Sequence, residues 1–144
     1  MSKFIERLKE LMEDNGLKPL GLAEKMGVNR NTITNYLSGA RRPSFKNFVK
    51  LLDIFNCSAD FLLGLVAFEP ADVVYHTVPP FCQRFHSIMK EYGMTQYALH
   101  QKTNFSYDNF RKWLDGAAEP YADSLERLAQ AFDCSVDYLI GRVS

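Results

Sequence analysis

The last 64 residues of the chain repeat residues 4–67 at a constant offset of 77, without a gap. Gly16, Gly39, Pro43, Phe55, Cys57, Ser58, Asp60, Leu62 and Gly64 return as Gly93, Gly116, Pro120, Phe132, Cys134, Ser135, Asp137, Leu139 and Gly141. Identities number 18 of the 64 aligned positions, and most other apolar positions stay apolar. Glycine, proline and apolar positions do not keep step over such a span by accident. The chain is two copies of one small domain, and the informative positions are those where the copies disagree. The expected division is a first domain over residues 1–66, a connector over 67–80 and a second domain over 81–144. Each unit is near the lower size limit for folding alone.

The composition, 47% apolar and 24% charged, belongs to a globular chain rather than a disordered one. No apolar run approaches the roughly 18 to 20 residues that span a bilayer. The first residues alternate charge with apolar side chains and lack the apolar core of a signal peptide, so the expected compartment is the cytoplasm. Three cysteines, at 57, 82 and 134, show no CxxC spacing. Cys57 and Cys134 share one repeat position and are expected to be small buried apolar side chains. His76, His86 and His100 form no cluster with them at ligand spacing. Metal sites and disulfides are rejected, and no cofactor is implied.

Each copy reads as five short helices, leaving little room for strands. In the first, Ser2 caps a helix with Phe4, Ile5, Leu8, Leu11 and Met12 on one stripe, stopped at Gly16. A second helix runs from Pro19, at a tolerated first-turn position, to Met26. Gly27 turns the chain, and Asn29 caps a third helix ending near Leu37. After the breakers Gly39 and Pro43, Ser44 opens a fourth helix with Phe48, Leu51, Leu52 and Phe55 inward. Ser58 opens a short fifth, ended by Gly64. The second copy repeats this with Thr95 and Ser106 as caps and Asn104 in place of Gly27. Asn is the residue after Gly that best tolerates a left-handed backbone, so the turn survives.

Three prolines between the copies oppose a continuous joining helix. Residues 72–78 have strand-like β-branched content. The expected state is an extended connector lying partly on a domain surface. Its 14 or so residues reach at most about 45 to 50 Å.

Two short helices around a glycine turn, then Gly-x-x-x-Pro and a further apolar helix, define a helix-turn-helix unit. The segments Gly27-Val-Asn-Arg-Asn-Thr-Ile-Thr-Asn-Tyr-Leu-Ser-Gly-Ala-Arg-Arg-Pro-Ser and Phe55-Asn-Cys-Ser-Ala-Asp-Phe-Leu-Leu-Gly resemble the Cro/phage-repressor type, also called the XRE family. So do Met94-Thr-Gln-Tyr-Ala-Leu, Trp113-Leu-Asp-Gly and Cys134-Ser-Val-Asp-Tyr-Leu-Ile-Gly in the second copy. The resemblance covers nearly everything except the connector. It implies an all-α fold of two five-helix repressor-like domains in tandem joined by a Pro-containing linker. It also implies double-stranded DNA as partner, a transcriptional regulator, usually a repressor, often acting as a homodimer, and a bacterial or phage setting. The chain departs from the commonest arrangement in carrying two such domains and no recognisable sensor domain. Whether a small-molecule inducer acts on it stays open.

By that resemblance the third helix enters the major groove and reads base edges. In the first copy this turns Asn29, Arg30, Asn31, Thr32, Thr34 and Asn35 toward DNA, with Val28, Ile33, Tyr36 and Leu37 toward the core. Arg can grip guanine, Asn can grip adenine, and Thr can bond phosphate or touch a thymine methyl. The set contains no acid, unlike an ordinary solvated helix face. Arg41 and Arg42 stand where family members touch the sugar-phosphate backbone, and Lys18 and Lys46 can add to them. The family's phosphate-bonding Gln at the start of the second helix is replaced here by Pro19.

The second copy inverts this pattern. It keeps the Gln, as Gln96 after Thr95, but its reading helix presents Ser106, Tyr107, Asp108, Asn109, Arg111 and Lys112. Asp108 repels phosphate unless it accepts from a cytosine amine. Ala118 and Glu119 replace the loop arginines. Tyr107 suits a phosphate contact or a protein interface equally, and Trp113, aligned with Tyr36, is expected in the core. Residues 1–66 carry ten Lys or Arg against seven Asp or Glu, the connector adds two acids, and residues 81–144 carry seven against eight. The zero total does not exclude DNA, because local patches set the field.

The leading expectation is a sequence-specific DNA-binding regulator whose first domain supplies most base readout. The second domain then makes weaker DNA contacts or holds a dimer together. The alternative is a protein-interaction module, an antirepressor or antitoxin-like partner that reuses the helix-turn-helix for docking. The chain has no nucleophile motif, paired carboxylates or Gly-rich phosphate loop, so an enzyme is not expected.

Overall fold

Helix ends in this protein are set by caps and left-handed residues at the positions the repeat marks. The computed structural model describes residues 2–144, Ser2 by its backbone alone, so the expected Ser2 cap lies outside the described residues. Among the described residues the chain is all-α, without a strand, and it divides into two units, residues 1–71 and 72–144.

The first unit holds α1 (Ser2–Asp14), α2 (Pro19–Met26), α3 (Arg30–Ser38), α4 (Phe45–Phe55) and α5 (Ala59–Leu62). Pro19 opens α2 in its first turn, and Gly27 closes it at φ 70°. Asn29 starts α3 by accepting from the Asn31 amide at 2.8 Å. The Ser44 and Ser58 hydroxyls cap α4 and α5 in the same way, both at 3.2 Å. Phe4, Leu8, Leu22, Ile33, Phe48, Leu51, Leu52 and Leu62 are buried and form the core. Phe55, expected inward, is only half-buried at the end of α4, whereas the matching Phe132 at the end of α9 is buried.

The second unit repeats the plan with α6 (Phe81–Tyr92), α7 (Gln96–Thr103), α8 (Tyr107–Asp115), α9 (Ala122–Phe132) and α10 (Val136–Leu139). Thr95 and Ser106 cap α7 and α8 through their hydroxyls. Asn104 takes the left-handed turn at φ 61°, as Gly27 does in the first unit. Phe85, Phe105, Phe110 and Trp113 meet edge-on or tilted in an aromatic core, so Trp113 is internal. Such ring pairs add about 0.5 to 1.5 kcal/mol each beyond their buried area.

Two polar anchors recur at the repeat offset. The Arg7 guanidinium lies 4.2 Å from the Phe61 ring centroid, and Arg84 lies 4.7 Å from that of Tyr138. Each therefore clamps the first helix of its unit to the last. Lys50 donates to the Met26 carbonyl at 3.0 Å, and Arg127 donates to the matching Thr103 carbonyl. Both place a cation at the C-terminal end of the second helix of their unit, where the helix dipole is negative.

The segment expected as a connector is held at both ends. Arg7 donates to the Val66 and Ala67 carbonyls, and the Glu69 carboxylate accepts from the Ser58 amide at 2.9 Å. In the second unit the buried Arg142 pairs with Asp137 at 2.7 Å and sits 4.0 Å from the Tyr75 ring centroid. The His76 amide donates to the Arg142 carbonyl at 2.7 Å. Residues 72–78 form no strand despite their β-branched content.

These attachments explain one correction. Cys57 is buried as expected, but Cys134 is half-exposed. In the first unit Glu69 folds over the start of α5 and Ser58 is 1% exposed, whereas the matching Ser135 is exposed.

Candidate nucleic-acid interface

On α3 the capping geometry decides which side chains are left for another molecule. Ile33 and Tyr36 are buried, and Val28 and Leu37 are half-buried. Tyr36 is further fixed by accepting from the Asn47 side-chain amide at 2.9 Å. Asn29, Arg30, Asn31 and Thr34 are exposed, while Thr32 and Asn35 are half-buried. The side-chain oxygen of Asn29 is occupied by its cap, leaving the Nδ2 amide, and the Thr34 hydroxyl donates back to the Asn31 carbonyl at 3.1 Å. The first turn of α3 contains no acid. Arg30 and Arg41 form no ion pair among the described residues.

Gly39, left-handed at φ 81°, ends α3. The next residues bring Arg41 and Arg42 out to solvent, with the Arg41 amide bonded to the Asn35 carbonyl at 3.2 Å. Lys18 and Lys46 are exposed as well. At the start of α2, where the family's Gln is missing, Pro19 is half-buried and Leu20 is 54% exposed.

The matching face of the second unit is chemically different. Arg111 donates to Asp108 at 2.5 Å and lies 4.0 Å from Asp115. Lys112 reaches the other Asp108 oxygen at 3.1 Å. The Arg111 hydrogen bond first, and that of Lys112 second, hold the Asp108 carboxyl below the ordinary carboxylate range, and Arg111 is pushed up in return. Both cations of this reading helix are thus committed to one carboxylate.

Ser106 is exposed and caps α8, Asn109 is half-buried and supplies the amide it accepts from, and Gln96 is exposed. Tyr107 is 45% exposed. Its ring stacks on His100 with centroids 4.7 Å apart, and His100 is itself fixed by an Nδ1 bond to the Phe105 carbonyl at 2.7 Å. An open groove of about 710 Å³ runs between α6, the start of α7 and α8, with His86, Gln96, Tyr107, Asp108 and Arg111 on its walls. The sequence reading has Asp108 repel phosphate or accept from a cytosine amine, whereas here it pairs with Arg111 and Lys112. The Arg7 and Arg84 anchors were also missed, although both stand at the repeat offset.

A helix-turn-helix family model matches residues 8–62, and a model described as a Cro/C1-type HTH DNA-binding domain matches residues 84–143. The chain is a tandem helix-turn-helix protein of the Cro/C1, or XRE, family, with one domain in each half.

The HTH-type transcriptional regulator ImmR of Bacillus subtilis is 36% identical over 59 residues, 41% of this chain and 46% of the relative. AnsR, an HTH-type transcriptional regulator from the same organism, is 35% identical over 60 residues, 42% of this chain and 52% of its own. YqaE, an uncharacterized HTH-type transcriptional regulator also from that organism, is 33% identical over 60 residues, with the same two shares. The chain spans about half the length of the curated relatives it matches. A solved transcriptional regulator from Listeria innocua aligns over 87% of this chain and 94% of its own, at 22% identity and a TM-score of 0.41. No described helix is long and apolar enough to cross a membrane.

Proposed function

We propose that this chain is a sequence-specific double-stranded DNA-binding transcriptional regulator, a repressor working in the cytoplasm, and that its first domain supplies most of the base readout. The observation that carries the reading is the contrast between the two reading helices. On α3 the exposed Arg30 stands among amides with no acid beside it, and Arg41 follows in the adjoining loop. On α8 the aligned surface pairs its own cations with Asp108.

Seated in a major groove, Arg30 offers a fork that matches guanine O6 and N7, and Asn31 offers an amide that matches adenine. Arg41 and Arg42 then neutralise phosphates on the flanking backbone, which sets register and makes binding salt-dependent. To do the same, Arg111 and Lys112 must first give up Asp108, and Asp108 is left facing a polyanion. The second domain therefore contributes through weaker contact, with Gln96 the best-suited phosphate donor, or by holding two chains together. The reading assigns the chain no catalytic chemistry.

A mobility-shift titration tests this, using a duplex recovered by selection from a random pool and a scrambled control. Arg30→Ala is expected to lower the preference for the selected duplex by about 1 to 3 kcal/mol, one bidentate base contact. Arg111→Ala is expected to leave the preference largely intact. The reverse order sinks the assignment, and no retention on any duplex at low salt sinks DNA binding itself.

A further inference from the structure

We propose that Tyr36 and Asn47 are a positioning pair for base readout, and that their hydrogen bond holds α3 in register with the loop arginines that follow it. The proposal rests on the reading in which α3 engages a major groove. It names side chains that set the specificity of that site without touching DNA.

Three observations carry it. The first is where the bond lies. Asn47 Nδ2 donates to the Tyr36 hydroxyl at 2.9 Å, between residues eleven apart in the chain. The stretch between them contains Gly39, which ends α3, and then Arg41 and Arg42. The bond therefore closes the loop that joins the base-facing helix to the candidate phosphate contacts. Phosphate contacts fix a protein's register on the duplex, and base edges are read from within that register.

The second is that both partners are anchored. The Tyr36 ring is buried. Asn47 lies in the first turn of α4 beside the buried Phe48, and its amide donates to the capping Ser44 hydroxyl at 3.2 Å. A hydrogen bond weakens steeply when misaligned, whereas apolar packing is non-directional. A bond between two fixed groups thus resists rotation of α3 about its own axis. A bidentate Arg–guanine contact needs that control, because productive geometry tolerates errors of about 0.5 Å and 10 to 20°.

The third is that the second copy holds its reading helix differently. Trp113 and Ser124 stand at the positions of Tyr36 and Asn47. Trp113 meets Phe85, Phe105 and Phe110, with ring centroids 5.2 to 6.1 Å away. The first copy has Leu8, Val28 and Ile33 at those three positions. The Tyr–Asn tie belongs to the domain proposed to read bases.

The test measures the affinity of full-chain variants for the selected duplex and for a scrambled one, with helix content checked by circular dichroism. Tyr36→Phe removes the hydroxyl alone, and Asn47→Leu removes the donor. Each is expected to lower the ratio of the two affinities about 2- to 10-fold, the worth of one hydrogen bond, with the scrambled duplex bound nearly as in wild type. A role in stability alone lowers both affinities together and leaves the ratio unchanged. The double variant is expected to lose no more than either single one, because both remove the same bond. Asn47→Asp can accept from the same hydroxyl and is expected to keep the wild-type ratio, its charge weakening both affinities alike. An unchanged ratio in Tyr36→Phe, losses that add in the double variant, or an Asn47→Asp ratio as low as that of Asn47→Leu each overturns the proposal. Arg30→Ala run alongside separates the two readings. If it lowers the ratio and Tyr36→Phe does not, the positioning role fails alone. If it leaves the ratio unchanged, readout by the first domain fails and the positioning role falls with it.

Discussion

At Asp108 the second domain ties up both cations of its reading helix, whereas the aligned Asn31 leaves Arg30 without an acidic neighbour. A carboxylate so placed titrates low. Its folded midpoint is expected below the ordinary Asp value of about 3.9, and it should rise toward that value in Arg111→Gln, as read by the side-chain carbon resonance. The sign follows from the depressed midpoint. The pair's contribution is fully present above the unfolded value and fades as pH falls through the lower folded one. Because the pair is exposed, the effect on overall stability is small. A midpoint in the ordinary range in wild type would mean that the pairing does not hold in solution. Arg41 gives a second residue-scale prediction. Arg41→Ala should reduce the slope of log affinity against log salt by about 1, with little change in base preference. An unchanged slope would remove Arg41 from the phosphate contacts.

The element that matters most, α3, depends on Asn29 for its start and on Gly39 for its end. Asn29 has two roles, since the side chain that caps the helix also faces outward. Substitution separates them. Asn29→Ala should cost about 1 kcal/mol in thermal unfolding of the first domain, the usual value of a lost cap. Asn29→Ser should retain most of that stability while losing the amide. If both variants are equally destabilised, the cap is not what holds this end of α3. Element boundaries were legible in the sequence for this reason: Asn29, Ser44, Ser58, Thr95 and Ser106 act over two or three residues of chain, and glycine or asparagine marks every left-handed turn except those at Asp72 and Asp133. The Asp108 pairing was less legible. Arg111 and Lys112 stand three and four residues beyond it, yet choosing between solvent, phosphate and carboxylate requires the side-chain geometry.

Across the whole chain, the duplication made the fold legible and its failures made the candidate site legible. What stayed hidden depends on contacts distant in sequence. Glu69 reaches back to the Ser58 amide, and Arg142 reaches Tyr75. No periodicity announces either contact: the sequence puts the connector partly on a domain surface without saying where it is tied, and it leaves Cys134 looking more buried than it is. The proposed division of labour between the copies has a consequence for the DNA site itself. On that proposal, two paired chains that each read bases with α3 alone present two identical readers related by a two-fold axis. Selection of bound sequences from a random duplex pool tests this most directly. The expected result is one half-site motif repeated in inverted orientation, erased by Arg30→Ala and keeping the same bases in Arg111→Ala. Two unlike motifs in fixed order, one lost with each substitution, would contradict it and give both reading helices a share of the bases.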